Sequence, residues 1–203
     1  MKRSRSGQRA AGKPVRIGGG EWKGRVLEVP RGARPTSGRA REALFSILHD
    51  SVAGASVLDL YAGSGAVGLE AVSRGAARAV LVEDDAAPLL RNAAKLDSGG
   101  TRLRVLRGDA RRALQALYGQ GERFDFVFAD PPYSEDLPEG LLAGAAALLS
   151  PGGLVALQRD SPSATPAEPP GVTLVEWRHY GRNVFYFFSR AGSSLDLCVP
   201  EGF

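Results

Sequence analysis

Apolar residues arrive along this chain in short runs, separated by longer stretches of mixed polarity. Runs at 56–60 (SVLDL), 79–83 (AVLVE), 102–106 (RLRVL), 124–129 (FDFVFA) and 153–157 (GLVAL) have the length and composition of strands. Between them, stretches near 66–74, 86–96, 110–118 and 138–149 carry helical spacing. This alternation predicts βαβ units, and hence a parallel sheet covered by helices on both faces. An aromatic-rich pair, 172–179 and 183–189, is interrupted by Tyr180-Gly181-Arg182 and predicts an antiparallel hairpin at the sheet edge. Ahead of the alternation, Leu44, Ile47 and Leu48 share one face of a helix expected from about Gly38 to His49. The preceding Arg34-Pro35-Thr36-Ser37 offers its N-cap. Earlier still, Val15–Ile17 and Arg25–Val29 flank Gly18-Gly19-Gly20 and predict a short β-hairpin.

Composition narrows the class. The chain has 203 residues, 43% hydrophobic and 24% charged, as expected of one ordinary globular domain and not of a disordered chain. No run approaches the roughly 20 apolar residues of a membrane helix, and no apolar stretch follows the basic N-terminus as in a secretory signal. One cysteine, Cys198, excludes an internal disulfide; with two histidines it also excludes a Cys/His zinc cluster. A reducing, cytoplasmic setting is expected. The expected organisation is a basic, aperiodic tail over residues 1–14, a single domain over 15–190 whose first part, 15–36, is the hairpin extension, and a tail over 191–203.

Charge is unevenly spread. Residues 1–41 carry 12 Lys/Arg against Glu21 and Glu28, a net +10, whereas the remaining 14 basic and 20 acidic residues give −6. A basic arm on a mildly acidic body suits a polyanionic partner, or serves only solubility.

The stretch Val57-Leu58-Asp59-Leu60-Tyr61-Ala62-Gly63-Ser64-Gly65-Ala66-Val67-Gly68 reads as a strand, a tight turn and a helix start. Gly63, Gly65 and Gly68 match G-x-G-x-x-G, a turn that lets backbone approach a nucleotide. Glu83 ends the next strand 20 residues after Gly63, where a carboxylate can accept hydrogen bonds from ribose hydroxyls. Together they point to a nucleoside-bearing cofactor. Asp59, at the end of the first strand, is unsuited to a pyrophosphate but suited to a cation, which favours S-adenosylmethionine with its ammonium and sulfonium groups. Asp109 follows the third strand and either accepts from an adenine amino group or caps the next helix.

Asp130-Pro131-Pro132-Tyr133 follows the fourth strand, beside the same crevice. A nucleobase amine is a poor nucleophile because its lone pair is delocalised into the ring. Acceptors converging on its N–H bonds favour charge developing as it attacks, and the Asp130 carboxylate and Pro131 carbonyl are the candidates. Two prolines stiffen the turn. Tyr133 offers a stacking face for a planar base.

These motifs resemble a class I S-adenosylmethionine-dependent methyltransferase, and more narrowly the RsmD-type family, which methylates a guanine N2 in 16S ribosomal RNA. The resemblance runs from about Arg16 to Phe188. It rests on Arg16 to Arg25 (RIGGGEWKGR); Arg34-Pro35-Thr36 with Arg39, Arg41, Glu42, Leu44 and Phe45; Leu58 to Gly65 with Gly68 to Ala71 and Ser73 to Ala76; the Asp130–Tyr133 tetrapeptide; and Tyr180-Gly181. It implies a Rossmann-like, doubly wound, seven-stranded α/β sheet, mostly parallel with one antiparallel strand. It further implies that Asp59, Gly63 and Gly65 surround the methionine part of the cofactor, Glu83 holds ribose and Asp109 meets adenine. Tyr61, Ser64, Asp84 and Ala110 are expected to complete the cofactor site. Asp130, Pro131, Pro132 and Tyr133 would hold the guanine, and Arg34, Thr36, Arg39 and Arg41 would face the RNA. The expected partner is 16S ribosomal RNA within a small-subunit particle, with neither membrane nor metal. Two residues depart from the family pattern: Gln158 stands where members often place Glu, and Ser46 where many have Asn. The same chemistry on adenine or a glutamine amide, an NAD(P)-dependent oxidoreductase, and a non-catalytic RNA-binding module are the competing readings.

Overall fold

The computed structural model describes residues 14–30, 36–132, 137–160 and 165–193. The expected tails therefore lie wholly or mostly outside the described residues, as do Ser161–Ala164 of the Pro/Ser-rich loop, Arg34 and Tyr133.

Seven strands form one sheet: β1 (Ser56–Leu60), β2 (Arg78–Glu83), β3 (Leu103–Arg107), β4 (Phe124–Ala129), β5 (Leu149–Asp160), β6 (Val172–Tyr180) and β7 (Asn183–Arg190). Their order is β3-β2-β1-β4-β5-β7-β6. The first five are mutually parallel. β7 runs antiparallel to both neighbours, slotted between β5 and β6, so that β6 forms the edge. The parallel sheet expected from the alternation, and the Rossmann-like seven-stranded form that the family resemblance implies, are thus present. Helices α2 (Ala66–Ser73), α3 (Ala87–Leu96), α4 (Ala110–Gly119) and α5 (Leu141–Ala147) connect the parallel strands, and α1 (Gly38–Leu48) precedes them.

The periodicity explains these elements. Val57 to Leu60 are all buried, as a central parallel strand with two covered faces requires. Ser37 caps α1 by accepting from the Ala40 N–H at 3.1 Å. Asp109 caps α4 by accepting from the Arg112 N–H at 3.0 Å. Two apolar layers result: Val57, Leu81, Phe126 and Phe128 share one with α1, α2 and α3, and Leu58, Val80, Val127 and Leu157 share the other with α4 and α5.

One expectation is corrected. The fifth strand begins at Leu149 instead of residue 153, and the preceding helix ends at Ala147. Pro151-Gly152-Gly153 is carried within the strand where the pairing with β4 shifts register. The expected N-terminal hairpin is present in short form: Arg16 bridges Val26 antiparallel, the Ile17 N–H donates to the Arg25 carbonyl at 3.0 Å and the Leu27 N–H to the Val15 carbonyl at 2.9 Å. Its turn docks on α2. The Glu21 N–H donates to the Ser73 carbonyl at 2.7 Å, and the Trp22 N–H to Ser73 Oγ at 2.8 Å. Gly20 makes that approach possible, since at φ 78 an added Cβ would lie 1.7 Å from the Ser73 carbonyl oxygen.

Candidate active site

The strand order reverses at β1 and β4, where a doubly wound sheet leaves a crevice. A cavity of about 440 Å³ lies there, at the carboxyl ends of the parallel strands. After β1 the chain turns through Tyr61 at φ 59, a left-handed conformation that costs a non-glycine residue roughly 1–2 kcal/mol. Tyr61, Gly63 and Ser64 line the cavity. Of the three motif glycines, Gly63 alone lines it. Gly65 is the N-cap of α2, and Gly68 permits close packing, since a Cβ there would meet Leu81 at 2.8 Å and Asp59 at 3.1 Å.

Asp59 projects from β1 into the crevice and is buried. Its Oδ2 accepts from the Gly68 N–H at 2.8 Å, whereas its Oδ1 is buried without a hydrogen-bond partner. Burial pushes the carboxyl up to about 7; the Gly68 N–H opposes that rise, and the negative charges of Asp130 and Glu83 add to it. An orphaned carboxylate oxygen in a cavity wall fits an ammonium group, which would supply both the missing donor and the countercharge. The donor set therefore suits S-adenosylmethionine.

Glu83, at the end of β2, lines the same cavity and accepts from the Gly63 N–H at 2.7 Å and the Asp85 N–H at 3.2 Å. These contacts fix the carboxylate at the glycine turn. Asp84 and Ala110 line the wall as expected. Asp109 does not: its carboxylate caps α4 and faces a separate groove between α4 and α5. Of the two readings open in the sequence, the structure displays the helix cap. Its neighbours Gly108 and Ala110 provide the wall at that end.

Asp130, Pro131 and Pro132 also line the cavity. Asp130 Oδ2 accepts two side-chain hydrogen bonds, from Thr36 Oγ1 at 3.2 Å and from Gln158 Nε2 at 3.1 Å. Thr36, expected on an outer RNA face, instead lines this cavity. Val29, Pro30 and Phe128 also line it, and sequence reasoning missed all three. Strand alternation could have found Phe128, which shares a sheet face with Asp130; nothing local marked the other two.

The arginines divide. Arg39 is exposed on α1. Arg41 is corrected: it is 4% exposed and cannot face a ligand in solvent. Its Nε pairs with Glu70 Oε2 at 3.2 Å, Nη1 donates to the Thr36 carbonyl at 3.0 Å and Nη2 to the Arg16 carbonyl at 2.6 Å. Glu70 also pairs with Arg74 at 2.7 Å and accepts from the Gly18 N–H at 3.0 Å. This buried cluster ties the N-terminal segment and α1 to α2, and so fixes Thr36 beside Asp130.

Comparison with known proteins places this geometry. The family model described as conserved hypothetical protein 95 matches residues 15–189. Ribosomal RNA small subunit methyltransferase D of Escherichia coli strain K12 is 45% identical over 130 residues, 62% of this chain and 63% of that protein. Its Haemophilus influenzae (strain Rd) namesake is 34% identical over 161 residues, 75% of this chain and 83% of its own. The solved structure of a putative methyltransferase, yhhF from Escherichia coli, superposes with a TM-score of 0.73 at 36% identity, covering 87% of this chain and 97% of that one. The family model spans most of the described residues, and this chain belongs to the conserved hypothetical protein 95 family, the RsmD type.

Proposed function

We propose that this protein transfers a methyl group from S-adenosylmethionine to the exocyclic N2 of a guanine in 16S ribosomal RNA, within a small-subunit particle in the cytoplasm. The observation that carries this reading is that one cavity is lined by Asp59, Glu83 and Asp130-Pro131-Pro132 together. The names of the Escherichia coli and Haemophilus influenzae relatives support ribosomal RNA as the substrate class.

When bound, S-adenosylmethionine supplies an electrophilic sulfonium methyl. Asp59 takes its ammonium group, and Glu83 meets its ribose hydroxyls. Asp130 and the Pro131 carbonyl accept from the two N–H bonds of the guanine amine, which holds the nitrogen in line and stabilises positive charge as the bond to carbon forms. Tyr133 stacks on the base. S-adenosylhomocysteine would be the departing group, and the cationic nitrogen would then give its proton to solvent, so positioning matters more than a strong base. The target guanine must leave its stack to reach the cleft, at a cost of a few kcal/mol. Arg34, Arg39 and the basic residues before them neutralise the surrounding phosphates.

Incubating the protein with unmodified small-subunit particles and labelled S-adenosylmethionine, then resolving the nucleosides by mass, tests the proposal. N2-methylguanosine is the expected product. N6-methyladenosine or label in protein would replace the substrate, and no label at all would reject the activity.

A further inference from the structure

We propose that Gln158 is a positioning residue for Asp130, an inference that rests on the methyl-transfer reading above and concerns how this chain aims its catalytic carboxylate. Gln158 lies near the end of β5, on the sheet face it shares with Asp130, and is 1% exposed. Its Nε2 donates to Asp130 Oδ2 at 3.1 Å. Its Oε1 is buried with no hydrogen-bond partner. The orientation of the amide follows from the neighbour: turned over, it would set a carbonyl oxygen against a carboxylate oxygen.

The two ends of this side chain carry opposite consequences. An orphaned buried carbonyl destabilises the fold, so an apolar side chain of the same length would suit it better. What Gln158 supplies in return is a donor to Asp130, and Thr36 supplies a second to the same oxygen at 3.2 Å. Thr36 is itself held through its carbonyl by Arg41, which Glu70 anchors. Two donors from separate elements, the residues leading into α1 and the end of β5, thus converge on Oδ2 and fix the rotation of the carboxylate. Oδ2 directed at these donors sets where the other carboxylate edge lies relative to Pro131, and so where an amine is held.

A carboxyl group at position 158 could not serve unless protonated. Two carboxyls at this separation share one proton. In a Gln158→Glu variant the protonated side chain would donate as the amide does, and the ionised one would repel Asp130.

Steady-state methyl transfer with small-subunit particles, measured for wild type, Gln158→Met and Gln158→Glu alongside thermal unfolding of each, tests this. Gln158→Met should lower kcat about 10- to 100-fold with the KM for S-adenosylmethionine unchanged, while its Tm holds or rises. Gln158→Glu should keep activity at low pH and lose it as pH rises, over a range where the wild type loses none. Wild-type kcat in Gln158→Met, or a pH profile of Gln158→Glu that follows the wild type, would overturn the inference. So would a marked fall in Tm for Gln158→Met, which reports a structural role without reference to the substrate. Absence of transfer by the wild type refutes the proposed substrate instead, and the unfolding comparison still decides the role of Gln158.

Discussion

Asp59 concentrates the electrostatic tension of the site in one side chain. Its carboxyl is raised to about 7 by burial, and its Oδ1 has no partner. The folded apo protein therefore holds this proton more tightly than the unfolded chain does. The resulting stability is complete below about pH 4 and is lost as pH rises through 7. Binding of a cation has the opposite sense, because it requires the ionised form. Affinity for S-adenosylmethionine, followed by calorimetry, should weaken as pH falls below 7 and level off above it. Asp59→Asn should abolish that binding and, at pH 8, raise the Tm of the apo protein, since it removes a buried charge worth on the order of a few kcal/mol. Unchanged affinity in that variant would remove Asp59 from the cofactor site. Spacing along the chain revealed Asp59, Glu83 and Asp130, because each lies within one residue of a strand's carboxyl end and the parallel alternation sends all three to one edge of the sheet. It could not reveal their partners. Thr36 and Gln158 reach Asp130 across 94 and 28 residues respectively, and no local pattern encodes contacts that only the folded topology makes.

The N-terminal segment and α1 depend on a buried ionic cluster more than on strand pairing. Arg41 and Glu70 are 5% and 1% exposed at their side chains. Removing Arg41 leaves Glu70 with Arg74 as its remaining cation but takes the donors from the Thr36 and Arg16 carbonyls, which costs about 1–3 kcal/mol. Arg41→Met should therefore lower stability by that amount in urea unfolding, and it should also lower transfer by releasing Thr36. Arg39→Ala, on the exposed face of the same helix, should leave stability within about 0.5 kcal/mol of wild type. In the sequence the two arginines look alike, members of one basic run; only burial separates them. Gly20→Ala would drive a Cβ into the Ser73 carbonyl and should undock the segment, seen as increased solvent quenching of Trp22, which is 5% exposed in the folded chain. The sheet itself was more legible than this attachment. Strand runs and helical spacing have a fixed period that sequence displays, whereas the docking of Gly18-Gly19-Gly20 on α2 is a tertiary contact that a hairpin pattern disguises. The place of the hairpin at the sheet edge was legible too, but not that β7, the later strand, lies between β5 and β6, since a hairpin signal does not say which of its strands is inner.

The molecule as a whole joins a cleft lined with carboxylates to a strongly basic leading segment. Residues 1–13 alone carry five cations: Lys2, Arg3, Arg5, Arg9 and Lys13. Deleting them should reduce the slope of log affinity against log salt for ribosomal RNA by up to about 3.5–4.5, the counterions that five phosphate contacts would release. An unchanged slope would leave the segment as a solubilising tail. The central claim, however, is that one cavity presents a methyl donor to an amine held by Asp130. Asp130→Ala separates the two halves of that claim: methyl transfer to small-subunit particles and calorimetric binding of S-adenosylhomocysteine are measured on the same preparation. Transfer lost with affinity retained is the predicted result; transfer retained would contradict the account.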